Sequence, residues 1–270
     1  MHLAHKVILA SLVFVALCLG VATTAKADTL ILNSVVISPR EINDDPSSNF
    51  TAVNNYPNLI SFSDQSVDRN GMAGGFANRH VWRFSNDGGA TAIRFSNNTF
   101  FEVFMDVTLS GSPFPRKEAG FLLDTGGGQG QFIVTTDTHE VVAFGGPLPF
   151  YTFSTLSFNS GDTTRLGMTY FLDTDGLRKI IYHAGGLSSP ALAFSNLEQG
   201  IIDNSTLGGY LQVQIDPNNP NNGAAAQFRN ISIQAQTIPE PTTLLLLGTG
   251  LAGVGAAVRK RRKAHKGEEG

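Results

Sequence analysis

Phe100-Phe101-Glu102-Val103-Phe104-Met105-Asp106-Val107-Thr108-Leu109 is the stretch that decides the fold of this chain. Phe101, Val103, Met105, Val107 and Leu109 fall on one face, and Phe100, Glu102, Phe104, Asp106 and Thr108 on the other. A period of two is that of a β-strand, whose successive side chains point to opposite sides of a sheet. The wholly apolar face predicts a buried core, and the mixed aromatic and acidic face predicts a surface. Outward from this strand the same grammar recurs. Short alternating runs over 119–124, 131–135, 140–144, 165–172, 178–184, 209–215 and 226–235 are separated by Gly, Asn, Asp and Pro. In 165–172, Leu166, Met168, Tyr170 and Leu172 line one face, and in 209–215, Leu211, Val213 and Ile215 do. Asp173-Thr174-Asp175-Gly176 reads as a tight hairpin turn. A run over 91–95 reads as the hairpin partner of the opening strand across Asn97-Asn98.

No segment between 28 and 238 sustains a helical period, so the expected class is all-β. Roughly nine or more strands predict two packed antiparallel sheets, a β-sandwich. The stretch from Pro39 to Pro57 reads as an irregular loop, and 31–37 as an edge strand closing the sheet near the C-terminal strand. The order of segments carries more than their number. Ala119-Gly120-Phe121 and Gln131-Phe132-Ile133-Val134 are followed by Leu166-Gly167-Met168-Thr169-Tyr170. Gly208-Gly209-Tyr210 and a closing Phe228-Arg229-Asn230-Ile231-Ser232-Ile233 complete the series. This series resembles the concanavalin-A-like jelly roll. The resemblance implies that the last strand packs beside the first, and that the domain belongs to a group that often binds or cuts polysaccharide.

Both ends differ from this middle. His5 and Lys6 precede an apolar run from Val7 to Val21, and Ala25-Lys26-Ala27 offers a small-x-small cleavage site. Residues 1–27 therefore read as a secretory signal peptide. At the far end Pro239-Glu240-Pro241 precedes an apolar segment, 242–258, and then Arg259-Lys260-Arg261-Arg262-Lys263. The segment is about 17 residues, the lower limit for a transmembrane helix. The basic cluster would hold its C-terminal side in the cytoplasm. Pro239, Glu240 and Pro241, the single span and the basic stop resemble the PEP-CTERM sorting signal. That resemblance implies an exosortase-type processing protease as partner. The route is then through the secretion machinery and an inner-membrane intermediate to the cell surface or extracellular matrix. The expected organisation is a signal at 1–27, a β-sandwich at 28–237, a sorting signal at 238–263 and a short cytoplasmic tail at 264–270.

Charge and cysteine content narrow the function. Residues 28–238 hold 11 Lys/Arg against 19 Asp/Glu, a formal −8, whereas the whole chain is −3. An acidic body argues against nucleic acid, which needs a basic face. The single cysteine, Cys18, lies in the leader, so the body has no disulfide or thiolate metal site.

The search for chemistry returns to the opening strand. Glu102 and Asp106 share a face but lie about 13 Å apart along it. Glycosidase carboxylates sit about 5–9.5 Å apart, so only a partner from another strand, Asp124 or Glu140, would complete such a pair. Phe100, Glu102, Phe104 and Asp106 alternate aromatic and acidic groups, the chemistry that stacks on and hydrogen-bonds sugars. These four are the candidate ligand-binding residues, the alternative being that a loop covers both phenylalanines. Asp173, Asp175, Asp44 and Asp45 are oxygen donors of the kind calcium takes, although a hairpin turn also explains the first pair. His80, His139 and His183 show no ligand spacing, and no metal site or catalytic residue is assigned. The leading expectation is a non-catalytic exported protein whose sandwich binds extracellular polysaccharide. A secreted carbohydrate-active hydrolase and a purely structural or adhesive surface protein are the alternatives.

Overall fold

The computed structural model describes residues 27–65, 77–126, 128–146, 148–194, 202–216 and 223–237. The expected leader through residue 26, the Pro239-Glu240-Pro241 motif, the apolar segment 242–258, the basic cluster and the tail lie outside the described residues. Sixteen strands and no helix occur among the described residues. They are β1 (Asp28–Leu30), β2 (Ser34–Asn43), β3 (Asn49–Asn55), β4 (Leu59–Gln65), β5 (Ala77–Ser85), β6 (Thr99–Gly111), β7 (Lys117–Asp124) and β8 (Gln129–Thr135). There follow β9 (Val141–Gly145), β10 (Tyr151–Thr152), β11 (Thr163–Leu172), β12 (Arg178–Ala184), β13 (Leu187–Ser188), β14 (Leu192–Ala193), β15 (Thr206–Gln214) and β16 (Ala224–Thr237). No described helix is therefore long and apolar enough to cross a membrane.

The strands form two antiparallel sheets. Nine make one, in the order β13-β12-β11-β6-β16-β4-β3, with β1 also on β16 and β14 also on β12. Seven make the other, in the order β10-β9-β8-β7-β15-β5-β2. The chain passes from sheet to sheet in matched pairs. β16 lies between β4 and β6 in one sheet, while β15 lies between β5 and β7 in the other. A ribbon of two strands wound in this way is the jelly roll, and the C-terminal strand does lie beside early ones.

The apolar faces meet between the sheets. Phe101, Val103, Met105, Val107 and Leu109 of β6 are all buried there, as its alternation requires. Trp82 of β5 stands edge-on to Phe84 at 5.2 Å and to Phe228 of β16 at 5.8 Å, tying the sheets at their centre. At one side of the core a polar cluster replaces the apolar packing. His80 Nε2 and Asp64 Oδ2 are 2.7 Å apart with both side chains buried, and the Asn78 amide donates to the same oxygen at 2.9 Å. Phe50 of β3 stacks on the His80 ring with centroids 3.8 Å apart.

Several details depart from the sequence reading. Residues 91–95 form no strand: Phe95 makes one isolated bridge to Ser205, and β6 takes β11 and β16 as its neighbours. The edge strand expected at 31–37 begins at Ser34, runs to Asn43, and borders the seven-stranded sheet beside β5 rather than the C-terminal strand. The region read as a loop holds β3, whose polar sequence conceals a fully paired strand next to β4. Leu172 is half exposed because β11 ends there, at the hairpin tip.

Candidate functional site

The outer face of the nine-stranded sheet is built in cross-strand rows. Along β6 the outward residues are Phe100, Glu102, Phe104, Asp106 and Thr108. The register sets Ser232, Phe104, Gly167, His183 and Ser188 in one row across β16, β6, β11, β12 and β13. The row on one side contains Gln234, Glu102, Thr169 and Ile181. The row on the other contains Arg229, Asp106 and Arg165. Strands in a sheet are about 4.8 Å apart and alternate residues about 6.8 Å. The array is therefore a flat lattice of polar groups with one aromatic ring at its centre.

Phe104 lies across the neighbouring strand because Gly167 leaves room for it. A Cβ at residue 167 would stand 2.2 Å from Cδ1 of the ring. The Arg165 guanidinium carbon sits 5.2 Å from the ring centroid, within cation–π range, and the His183 ring is 5.3 Å away. Arg165 also donates to Asp106 Oδ1 at 2.9 Å, and Asn230 donates to Asp106 Oδ2 at 2.7 Å. Asn230 reaches that carboxylate from a break in register on β16, where its own φ is 49°. His183 is held between two hydroxyls, Thr169 Oγ1 at 2.9 Å and Ser188 Oγ at 2.8 Å. Burial lowers its pKa below the usual imidazole value, and the nearby Glu102 carboxylate only partly offsets this. The imidazole is therefore neutral at neutral pH, with one nitrogen a donor and the other an acceptor.

Two hollows lie on this face, and Phe104 lines the smaller of them. One, of about 500 Å³, is lined by Phe100, Glu102, Thr169, Phe171 and Gln234 among others. The other, of about 180 Å³, is lined by Phe104, Arg165, His183 and the β12–β13 turn at Gly186 to Ser188. Of the four candidate residues, Glu102 is exposed and Phe104 and Asp106 are half-buried. Phe100 is only 8 % exposed and packs on Tyr170 with centroids 5.6 Å apart, so it forms the floor of the larger hollow. Gly167, Arg165, Thr169, His183 and Asn230 were not among the candidates. They lie on other strands, and only the pairing register brings them together.

The outer face of the seven-stranded sheet carries a second polar array, closed on itself. Arg79 donates to Gln212 at 2.7 Å and to Gln129 at 2.5 Å, and lies over the Tyr210 ring at 5.2 Å. Tyr210 donates to Glu118 at 2.9 Å, and burial drives its pKa well above the usual phenol value. Arg83 pairs with both Glu41 and Asp124. Arg79, Tyr210 and Glu118 are buried, in contrast to the solvated lattice around Phe104.

The acidic partners raised for Glu102 are elsewhere. Asp124 belongs to the seven-stranded sheet with Arg83, and Glu140 precedes β9 and accepts from Thr138. The four aspartates considered for calcium have separate roles. Asp173 and Asp175 both hold Lys179 at 2.6 Å across their hairpin. Asp44 accepts the backbone N–H of Ala77, and Asp45 accepts from Ser47. Among the described residues no three His, Cys, Asp or Glu side chains converge as a metal site would require.

These features define an all-β jelly-roll sandwich with one solvated aromatic and polar sheet face. Residues 237–262 match the PEP-CTERM protein-sorting motif. The chain is thus an exported protein carrying an exosortase sorting tail, and Pro239, Glu240 and Pro241 lie within the match. Among curated proteins none matches this sequence. Solved structures similar to the chain include alginate lyase AlgAT5 of polysaccharide lyase family 7, with 12% identity and a TM-score of 0.44 over 76% of this chain and 95% of that one. An alginate lyase from Corynebacterium sp. has 12% identity and a TM-score of 0.40 over the same shares. An endo-acting O-glycanase of the human gut microbiota that initiates mucin breakdown has 11% identity and a TM-score of 0.43, over 82% of this chain and 95% of its own. The expectation of a body without enzymatic activity is corrected here. Enzymes that cleave polysaccharide are among the solved proteins similar to it, and the non-catalytic reading is withdrawn.

Proposed function

We propose that the exported sandwich engages an extracellular polysaccharide on the outer face of its nine-stranded sheet. The observation that supports this is the Phe104 ring, laid over Gly167 in the middle of a solvated row of Ser232, His183 and Ser188. An aromatic face stacks on the apolar C–H side of a sugar ring, while the surrounding amides, hydroxyls and carboxylates match its hydroxyl groups. Asp106 already neutralises Arg165, and Glu102 is exposed beside the ring. This charge balance suits a neutral chain better than a polyanion.

A second reading, cleavage of the bound chain, is favoured by His183. A neutral imidazole on the same row as Phe104, with a carboxylate one row away, is equipped to accept a proton. Both readings are tested together by exposing the purified 28–237 body to a glycan array and following chain length in the bound fraction. Neutral glycans should bind, and Phe104→Ala should weaken binding roughly tenfold, the worth of an aromatic contact of about 1.4 kcal/mol. Shortening of the chain that disappears in His183→Ala would assign cleavage. Binding that Phe104→Ala leaves unchanged would refute the site.

A further inference from the structure

The edges of the two sheets are not treated alike. An edge strand presents unpaired N–H and C=O groups to any extended chain that approaches, and folded proteins guard such edges with short strands, proline, charge or bulges. In the seven-stranded sheet, β10 has two residues, and β2 carries Pro39, Arg40 and Glu41 at a break in register between Ser38 and Ile42. In the nine-stranded sheet, β13 and β14 have two residues each and β1 has three. β3 is the exception among the described strands. It has seven residues, Asn49-Phe50-Thr51-Ala52-Val53-Asn54-Asn55, with no charge, no proline and an unbroken register against β4. Every residue but Phe50 is exposed, and Val53, a large apolar side chain, is 50% exposed. Phe50 points inward and stacks on the buried His80, which fixes the strand in place. β3 is thus a solvated edge: among the described strands only β4 pairs with it, and no described strand takes up the backbone groups on its other side.

We propose that β3 is a self-association edge, pairing antiparallel with β3 of a second copy of this chain. Two features select a copy over another partner. A two-fold antiparallel pairing about Ala52 sets each Asn49 against the other copy's Asn55, amide to amide, and each Thr51 against the other copy's Val53. The strand is compatible with its own reverse, as an isologous interface requires. The body it belongs to carries a formal −8 over residues 28–238, so two copies repel across most approaches, and this uncharged strand is one place where they meet without opposing carboxylates. The pairing would join two nine-stranded sheets into one continuous sheet and set two Phe104 faces side by side. Association at this edge does not depend on what those faces bind.

The single cysteine of the chain, Cys18 in the leader, makes the test simple. Full-length protein carrying Cys18→Ser and one of Thr51→Cys, Ala52→Cys or Val53→Cys is expressed in the producing cell. It is then oxidised and run on a non-reducing gel. Ala52→Cys, the position that the two-fold sets against itself, should shift to twice the monomer mass, while Thr51→Cys and Val53→Cys, each facing the other residue, should shift less or not at all. Ser188→Cys, on the opposite edge of the same sheet, should stay monomeric, and Thr51→Lys added to Ala52→Cys should abolish the shift. Absence of dimer at Ala52→Cys, or equal dimer at Ser188→Cys, would overturn the proposal. Dimer that survives the added lysine would overturn it as well. A heterologous strand seated on the edge would give the first of these results.

Discussion

Gly167 and Phe104 are one decision made by two residues. A methyl at 167 would meet the ring at 2.2 Å, and the ring, being the end of a flexible side chain, would swing away. Gly167→Ala should therefore reduce glycan binding about as much as Phe104→Ala, roughly tenfold, while leaving the melting temperature within a few degrees. Asp64 and His80 act on stability instead. His80 Nδ1 accepts the backbone N–H of Arg40 at 3.2 Å, which leaves the proton on Nε2, facing Asp64. Burial alone would raise the Asp64 pKa, but hydrogen bonds from His80, Ser48 and Asn78 outweigh it and hold the carboxyl below its ordinary value. A folded-state pKa below the unfolded one means that the unfolded chain binds the proton more readily. The stabilisation is present above about pH 4 and is lost as pH falls through the folded value. Melting followed by circular dichroism should lose a little stability as pH falls below about 6.5, where the unfolded chain protonates His183 more readily than the fold does, and should fall further below pH 4. Asp64→Asn should weaken that acid limb while costing about 1–3 kcal/mol at neutral pH. At this scale Phe104 was legible from alternation alone. Gly167 and His183 were not, because a glycine in a strand and a solitary histidine acquire meaning only from the register.

Strands with a strong inward face announced themselves. β6 and β12 place apolar residues at alternate positions, and 178–184 coincides with β12 from end to end. β3 did not, since only Phe50 turns inward among asparagines and small residues. β5 was obscured by the opposite cause. Its inward His80, Trp82 and Phe84 are interleaved with an outward Val81 that is buried as well, which erases the period of two. The central strands also depend on close backbone approach. A Cβ on Gly208 of β15 would stand 1.8 Å from the Trp82 carbonyl oxygen on β5, where neither main chain can yield. Gly208→Ala should cost several kcal/mol, read as a fall in melting temperature of roughly 10 °C. An unchanged melting curve would show that the two strands are less tightly apposed than this 1.8 Å contact requires.

For the whole molecule, address and body answer to different parts of the chain. The sorting motif at 237–262 marks an exported protein, and its reading from sequence rested on a local, ordered series: Pro-Glu-Pro, apolar segment, basic stop. Replacing Pro239, Glu240 and Pro241 by alanine should leave the tail uncleaved, seen by intact-mass measurement of the membrane fraction. The sandwich, in contrast, is a product of distant pairings such as β6 with β16, and its working face could not be assembled from any one segment. Two faces of the molecule carry polar arrays, and the proposed polysaccharide site is the solvated one around Phe104 rather than the closed one around Arg79. The direct test is retention on immobilised extracellular polysaccharide of the wild-type body, Phe104→Ala and Arg79→Ala, each compared at equal folded fraction by its melting curve. Phe104→Ala should be lost from the matrix while Arg79→Ala is retained like wild type. Retention of Phe104→Ala together with loss of folded Arg79→Ala would contradict this and move the binding face to the other sheet.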